Sequence, residues 1–179
     1  SCYSHDLSSR NKKLVMQTKG TCLRDNIAGV LGGTMFKKLQ EVDSQSDIVQ
    51  IKGYISKVDV GSGRSSADRQ YLYLNSRPVD IPKISKMINI IYKQFNLTQY
   101  PIYVLNIIVR PESYDVNVTP DKRTVYLENE LHVISFIKDV LETLYDSSSR
   151  SLTRQNNISL IDNSPVPFEK DEIERIFAM

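Results

Sequence analysis

Ile102 to Val109 (IYVLNIIV) gathers seven apolar residues around a single asparagine. A run this short and this continuous predicts a central strand, because a half-exposed strand would alternate and a buried helix would be longer. Asn106, at its middle, requires hydrogen-bond partners if it is buried. Just upstream, Pro82 suits the first turn of a helix, and Ile84, Ile88, Ile91 and Phe95 form one apolar stripe with Lys86, Asn89 and Lys93 opposite. A strand and the helix that covers it are therefore adjacent in the chain, which predicts a sheet-and-helix layer architecture.

The remaining elements fit around that pair. Residues 12 to 18 (KKLVMQT) read as a short strand, and Arg24 to Leu31 as a helix that brings Ile27, Val30 and Leu31 together and stops at Gly32-Gly33. Residues 48 to 58 alternate, with Val49, Ile51 and Ile55 on one face and Gln50, Lys52 and Ser56 on the other. Gly61 to Ser66 reads as a flexible loop, and Arg69 to Asn75 as a strand covered on both faces. Asp115 to Val118 alternates before Pro120 sets a turn, Thr124 to Leu127 is a short strand, and Asn129 caps a helix. Leu131, Ile134, Val140, Leu141 and Leu144 are expected on the buried side of that helix. The order is roughly β-α-β-β-α-β-β-β-α, which predicts an α+β fold: a mixed sheet with helices mainly on one face. After Asp146 the chain turns polar (SSSRSLTRQNN), so residues 1–146 are expected to form the domain and 147–179 a linker and tail. Residues 169–178 are the tail's candidate for a short helix.

Composition bounds the function. With 179 residues, 40% hydrophobic and 25% charged, the chain suits one domain with an extension and can bury a sizeable core. A net charge of +2 is too small to imply nucleic acid, so any contact with DNA must rest on a local patch. Cys2 and Cys22 are too few for a disulfide framework and have no metal-ligand spacing with His5 or His132, so a reducing, intracellular compartment is expected. No apolar run approaches the roughly 20 residues of a membrane span, and no membrane partner is expected. The chain starts at Ser1 with no initiator Met, and is expected to be cut from something longer.

Enzyme signatures are missing. Neither histidine lies near a G-x-S-x-G elbow, and His132 is read as structural. There is no G-x-x-x-x-G-K-[ST] loop, and Gly29, Gly32 and Gly33 follow no strand at the place a dinucleotide fingerprint needs. Asp115 and Asp121 are read as acids of a turn, and no metal site is expected. Lys122 and Arg123, at the tip beyond Pro120, admit two readings: solvated surface charges, or a cation held at the end of a sheet to meet a phosphate from another domain.

The block D-V-N-V-T-P-D-K-R at Asp115 to Arg123, preceded by R-Q-Y-L-Y-L-N-S-R-P-V-D at Arg69 to Asp80, resembles the second domain of the MutL DNA mismatch repair proteins, in their eukaryotic PMS branch. K-G-Y-I-S, G-S-G-R-S-S-A-D-R and D-N-I-A-G-V-L-G are similar to that family's pattern too, and the likeness covers about residues 12 to 146. Bacterial members usually carry His-Pro-x-Lys-x-Glu-Val where this chain has Thr119-Pro120-Asp121-Lys122-Arg123-Thr124-Val125. The resemblance implies a fold like the second domain of ribosomal protein S5, with a left-handed βαβ crossover. It also implies a transducer role, in which Lys122 reaches the γ-phosphate of ATP bound, with magnesium, in a preceding ATPase domain of the gyrase, Hsp90 and MutL (GHKL) type.

Sequence-independent contact with double-stranded DNA is a second implication, with Arg64, Arg69, Arg77, Lys83, Lys86 and Arg123 as candidates. An MLH-type subunit, joined mainly through a C-terminal domain absent here, and mismatch-recognising MutS homologues are the implied protein partners, and the nucleus the implied compartment. This chain has no water-activating glutamate, no Asp-x-Gly-x-Gly and no Asp-Gln-His-Ala nuclease block, so by itself it is expected neither to hydrolyse ATP nor to cut DNA. Two rival readings are a free-standing α/β nucleic-acid-binding module without coupling to ATP and a structural spacer between catalytic domains.

Overall fold

The computed structural model describes Cys2–His5, Lys12–Met16 and residues 22–155 apart from 116–122, with side chains for residues 22–115 and 123–148. It divides into two compact units, Ser1–Lys38 and Leu39–Met179. In the first, β1 (Cys2–His5) pairs antiparallel with β2 (Lys12–Met16), followed by α1 (Leu23–Leu31) and α2 (Gly33–Phe36). Gly32 ends α1 as expected: its φ of 89° is open to glycine, and its N–H donates to the Ala28 carbonyl at 2.9 Å. Of the three apolar residues expected to cluster on α1, only Ile27 is buried, and Val30 is exposed. The Arg24 guanidinium lies 5.7 Å over the Phe36 ring.

The second unit holds a five-stranded mixed sheet in the order β3-β4-β7-β5-β6, where β3 is Leu39–Gln45, β4 Val49–Ser56, β5 Gln70–Leu74, β6 Arg77–Pro78 and β7 Tyr103–Val109. The apolar run is the central strand, antiparallel to β4 and parallel to β5. The connection between parallel β5 and β7 contains α3 (Pro82–Phe95), the crossover that a parallel pair needs. A second small sheet pairs β8 (Tyr114–Asp115) with β9 (Tyr126–Leu127), and α4 (Glu130–Gln155) closes the described chain.

One face of the large sheet is dry. Val49, Ile51 and Ile55 of β4, Leu72 and Leu74 of β5, and Tyr103, Leu105 and Ile107 of β7 join Ile84, Ile88 and Ile91 of α3 and Ile134, Ile137, Leu141 and Tyr145 of α4 in one core. Each such side chain contributes about 1.5–3 kcal/mol by leaving water. Tyr145 is fully buried with its ring edge-on to Tyr92 at 5.8 Å, and burial pushes its phenol well above the ordinary range. Both helices therefore serve one face, as expected. Gly53 of β4 allows the closest strand approach: a Cβ there would run into the Val104 carbonyl oxygen of β7.

Several expectations need correction. Ser56 lies in the core, not on the polar face, because its hydroxyl accepts the Ile102 N–H at 3.1 Å. β5 is covered on one face only: Leu72 and Leu74 are buried while Tyr71 is 42% exposed. Leu131 is exposed, since the buried stripe of α4 runs through Val133, Ile134, Ile137, Leu141 and Tyr145 instead. His132 is exposed on the same turn. The helix also continues past Asp146 to Gln155, through the start of the expected linker. β3 was not foreseen. Asn117, Val118 and the candidate tail helix at 169–178 lie outside the described residues.

Candidate functional site

The block around Lys122 is tied at both ends. On one side Tyr114 and Asp115 pair with Leu127 and Tyr126, so the chain that leaves at Asp115 returns beside it at Tyr126. On the other, the Arg123 carbonyl accepts the Asp80 N–H at 3.0 Å, and the two side chains stand 3.7 Å apart. That ion pair is weak in effect, because its members are 64% and 69% exposed. Lys122 itself, with Asp121 and Pro120, lies outside the described residues.

Asp80 follows β6, and β6 follows a turn with unusual backbone. Asn75 and Ser76 take φ of 47° and 68°, the type I′ geometry of a two-residue hairpin, without the glycine that usually relieves it. Side chains hold it there. Asn75 accepts the Val109 N–H at 3.0 Å and donates to the Val109 carbonyl at 3.0 Å, so one amide caps the end of the central strand. Asn106, half-buried, accepts the Ser76 N–H at 2.9 Å, which supplies the partner its place in an apolar run requires. Arg77 emerges from this fixed turn into solvent.

The candidate cations fall into two groups. Arg64 and Arg69 sit where β5 and β7 begin: Arg64 exchanges backbone bonds with Tyr100 at 2.9 and 2.7 Å, and the Arg69 carbonyl accepts the Tyr103 N–H at 3.1 Å. Arg77 sits at the far end of β5, about 13 Å away by strand rise. Three candidates are already paired: Arg64 with Asp68 at 2.8 Å, Lys83 with Glu130 at 2.9 Å, and Arg123 with Asp80. The hydrogen bond from Arg64, ahead of lesser causes, holds the Asp68 carboxyl below its ordinary range. Among the described residues no carboxylate forms an ion pair with Arg69, Arg77 or Lys86.

The expected flexible loop at 61–66 is instead pinned. Gln99 Oε1 accepts the N–H groups of Gly61 and Gly63 at 2.9 and 3.3 Å, and Asn96 bonds the Val58 carbonyl and Gln99 at 3.2 Å each. Gly63 is buried so tightly that a Cβ would meet the Tyr100 carbonyl oxygen at 2.6 Å. Asn75, Ser76, Asp80, Asn96 and Gln99 were not singled out as site residues. The dipeptide Asn75-Ser76 after a strand was a readable turn signal, whereas the roles of Asp80 and Gln99 depend on partners distant in sequence. Among the described residues no group of three His, Cys, Asp or Glu side chains could hold a metal ion.

Residues 27–146 match the model of the DNA mismatch repair protein, C-terminal domain. The chain belongs to this family of MutL proteins. It is 41% identical over 150 residues to the DNA mismatch repair protein PMS1 of Arabidopsis thaliana, covering 83% of this chain and 16% of that one. It is 32% identical over 185 residues to the mismatch repair endonuclease PMS2 of Gallus gallus, covering 93% of this chain and 21% of that one. A crystal structure of the N-terminal domain of a DNA repair protein superposes with a TM-score of 0.71 at 36% identity, over 80% of this chain and 47% of the other. The mixed sheet with its helices is thus shared with that DNA repair domain, an α+β fold of the kind that the resemblance to the MutL proteins implies. The chain spans between 16% and 21% of the length of these two curated relatives. Among the described residues no helix is long and apolar enough to cross a membrane.

Proposed function

We propose that this chain is the transducer of a PMS-type mismatch repair protein: residues 1–146 form the domain, and Lys122 reaches the γ-phosphate of ATP held in a preceding GHKL-type domain. The observation that carries the reading is the tethering of the Lys122 block, by the β8–β9 pairing on one side and the Arg123–Asp80 backbone bond on the other. A lysine between these two anchors would act as a compact cation toward a phosphate. The nucleotide and its magnesium would be held by the preceding domain, and this chain would supply one charge to the phosphate. Family membership across residues 27–146, a span that includes Lys122, supports the assignment.

In this reading the whole protein works in the nucleus, paired with an MLH-type subunit, with MutS homologues upstream. Contact with duplex DNA would be sequence-independent, through backbone phosphates, and Arg69, Arg77 and Lys86 are its best carriers because no carboxylate among the described residues takes up their charge. The deciding experiment uses the chain extended to its preceding domain. Lys122→Ala is expected to lower ATP turnover about 10³-fold, the scale of other trans-supplied cations. Unchanged turnover would remove the phosphate-sensing role and leave the free-standing nucleic-acid module as the better account.

A further inference from the structure

Among the described residues β3 is an edge strand, bonded on one side only, to β4. The Ser46 N–H donates to the Val49 carbonyl at 2.8 Å, and antiparallel pairing alternates, so Gln40, Val42 and Ser44 bond inward while Glu41, Asp43 and Gln45 turn their N–H and C=O outward. Beside this edge runs a cleft of about 440 Å³, walled by β3 and by the part-buried Phe136, Val140 and Leu144 of α4. These three are four residues apart and form one apolar stripe. The residues lining the cleft include three carboxylates, Glu41, Asp43 and Asp139, and no lysine or arginine. Of the three, Asp43 stands 3.7 Å from Lys52, outside the cleft. Beside it, burial followed by the charges of Asp139 and Asp146 pushes the Glu142 carboxyl up, against the opposing pull of Lys138. Among the described residues the buried Gln40 amide nitrogen, on the same strand, has no hydrogen-bond partner.

We propose that this cleft receives an extended, basic segment of another polypeptide, which adds as a strand to the free edge of β3. Outward backbone groups would bind its main chain, the stripe of α4 its alternate apolar side chains, and the acidic rim its lysines or arginines. Charge argues against the two nearer occupants. A second copy would set Glu41 and Asp43 against their own kind. The chain's own residues 156–179 carry five acids (Asp162, Glu169, Asp171, Glu172, Glu174) against Lys170 and Arg175.

The test titrates the 179-residue chain with a synthetic heptapeptide alternating lysine and valine, followed by amide chemical shifts. Saturable binding is expected, with shifts concentrated at Glu41, Asp43, Gln45 and the Phe136–Leu144 stripe. Replacing the valines by glycine at equal charge should weaken it about tenfold or more. Asp43→Pro, which deletes an outward donor while leaving the inward ladder intact, should weaken it similarly. Glu41→Lys combined with Asp139→Lys, both at exposed positions, should transfer preference to a peptide alternating glutamate and valine. Equal binding of the glycine peptide, or unmoved β3 amides, would overturn the proposal. So would binding that appears only after removal of residues 156–179, or β3 shifts that follow protein concentration alone, because these would identify the tail or a second copy as the occupant.

Discussion

The two ends of the parallel pair β5 and β7 are built alike, but the arginine beside the pinned turn is paired at one and not at the other. Where the strands begin, Gln99 and Asn96 pin the loop at 58–63, and the arginine beyond it is neutralised by Asp68. At the far end of β5 the Asn75-Ser76 turn is held by Val109 and Asn106, yet the exposed Arg77 next to it finds no carboxylate among the described residues. Rigidity therefore does not by itself mark a binding site, since both ends have it. What differs is the arginine beside each pinned turn: Arg64 is held by Asp68, whereas Arg77, like Arg69 where β5 begins, has no ion pair among the described residues.

Four variants test that contrast. Gly63→Ala attacks the pinned loop and should cost the most, about 3 kcal/mol in urea denaturation, because the new methyl meets backbone rather than a yielding side chain. Asn75→Ala removes both bonds to Val109 and places alanine at positive φ, which should cost about 1–3 kcal/mol. It should also weaken DNA binding, because Arg77 loses its support. Arg77→Ala should leave the melting temperature nearly unchanged but reduce the slope of log affinity against log salt by about 1. Arg64→Ala should leave that slope almost untouched. Equal slopes for the two arginine variants would erase the distinction between the ends.

Much of the fold was legible because its signals are local. The apolar run 102–109 and the stripe Ile84, Ile88, Ile91 identify the central strand and the helix over it, and both stand where expected. β3 escaped because an edge strand beside a cleft needs little apolar surface: Leu39 and Val42 are its only apolar residues, three apart, with no period of two. The length of α4 was missed because its last turns are polar, and Leu131 was misplaced because a few apolar residues admit more than one helical stripe. At the site, cations could be named from loops and element ends. Which of them keep their charge could not, because Glu130 reaches Lys83 across 47 positions and Asp80 reaches Arg123 only through the folded sheet.

The length of α4 has a mechanical consequence. Its 26 residues make a rod of about 39 Å, anchored on the core as far as Tyr145 and fastened at Ser148, whose hydroxyl donates to Gln40 at 3.2 Å. Gln155 lies roughly 10 Å further along the axis. A rod packed on the sheet along its first half has the geometry of a lever: a small tilt of the packed half would become a larger sweep at Gln155.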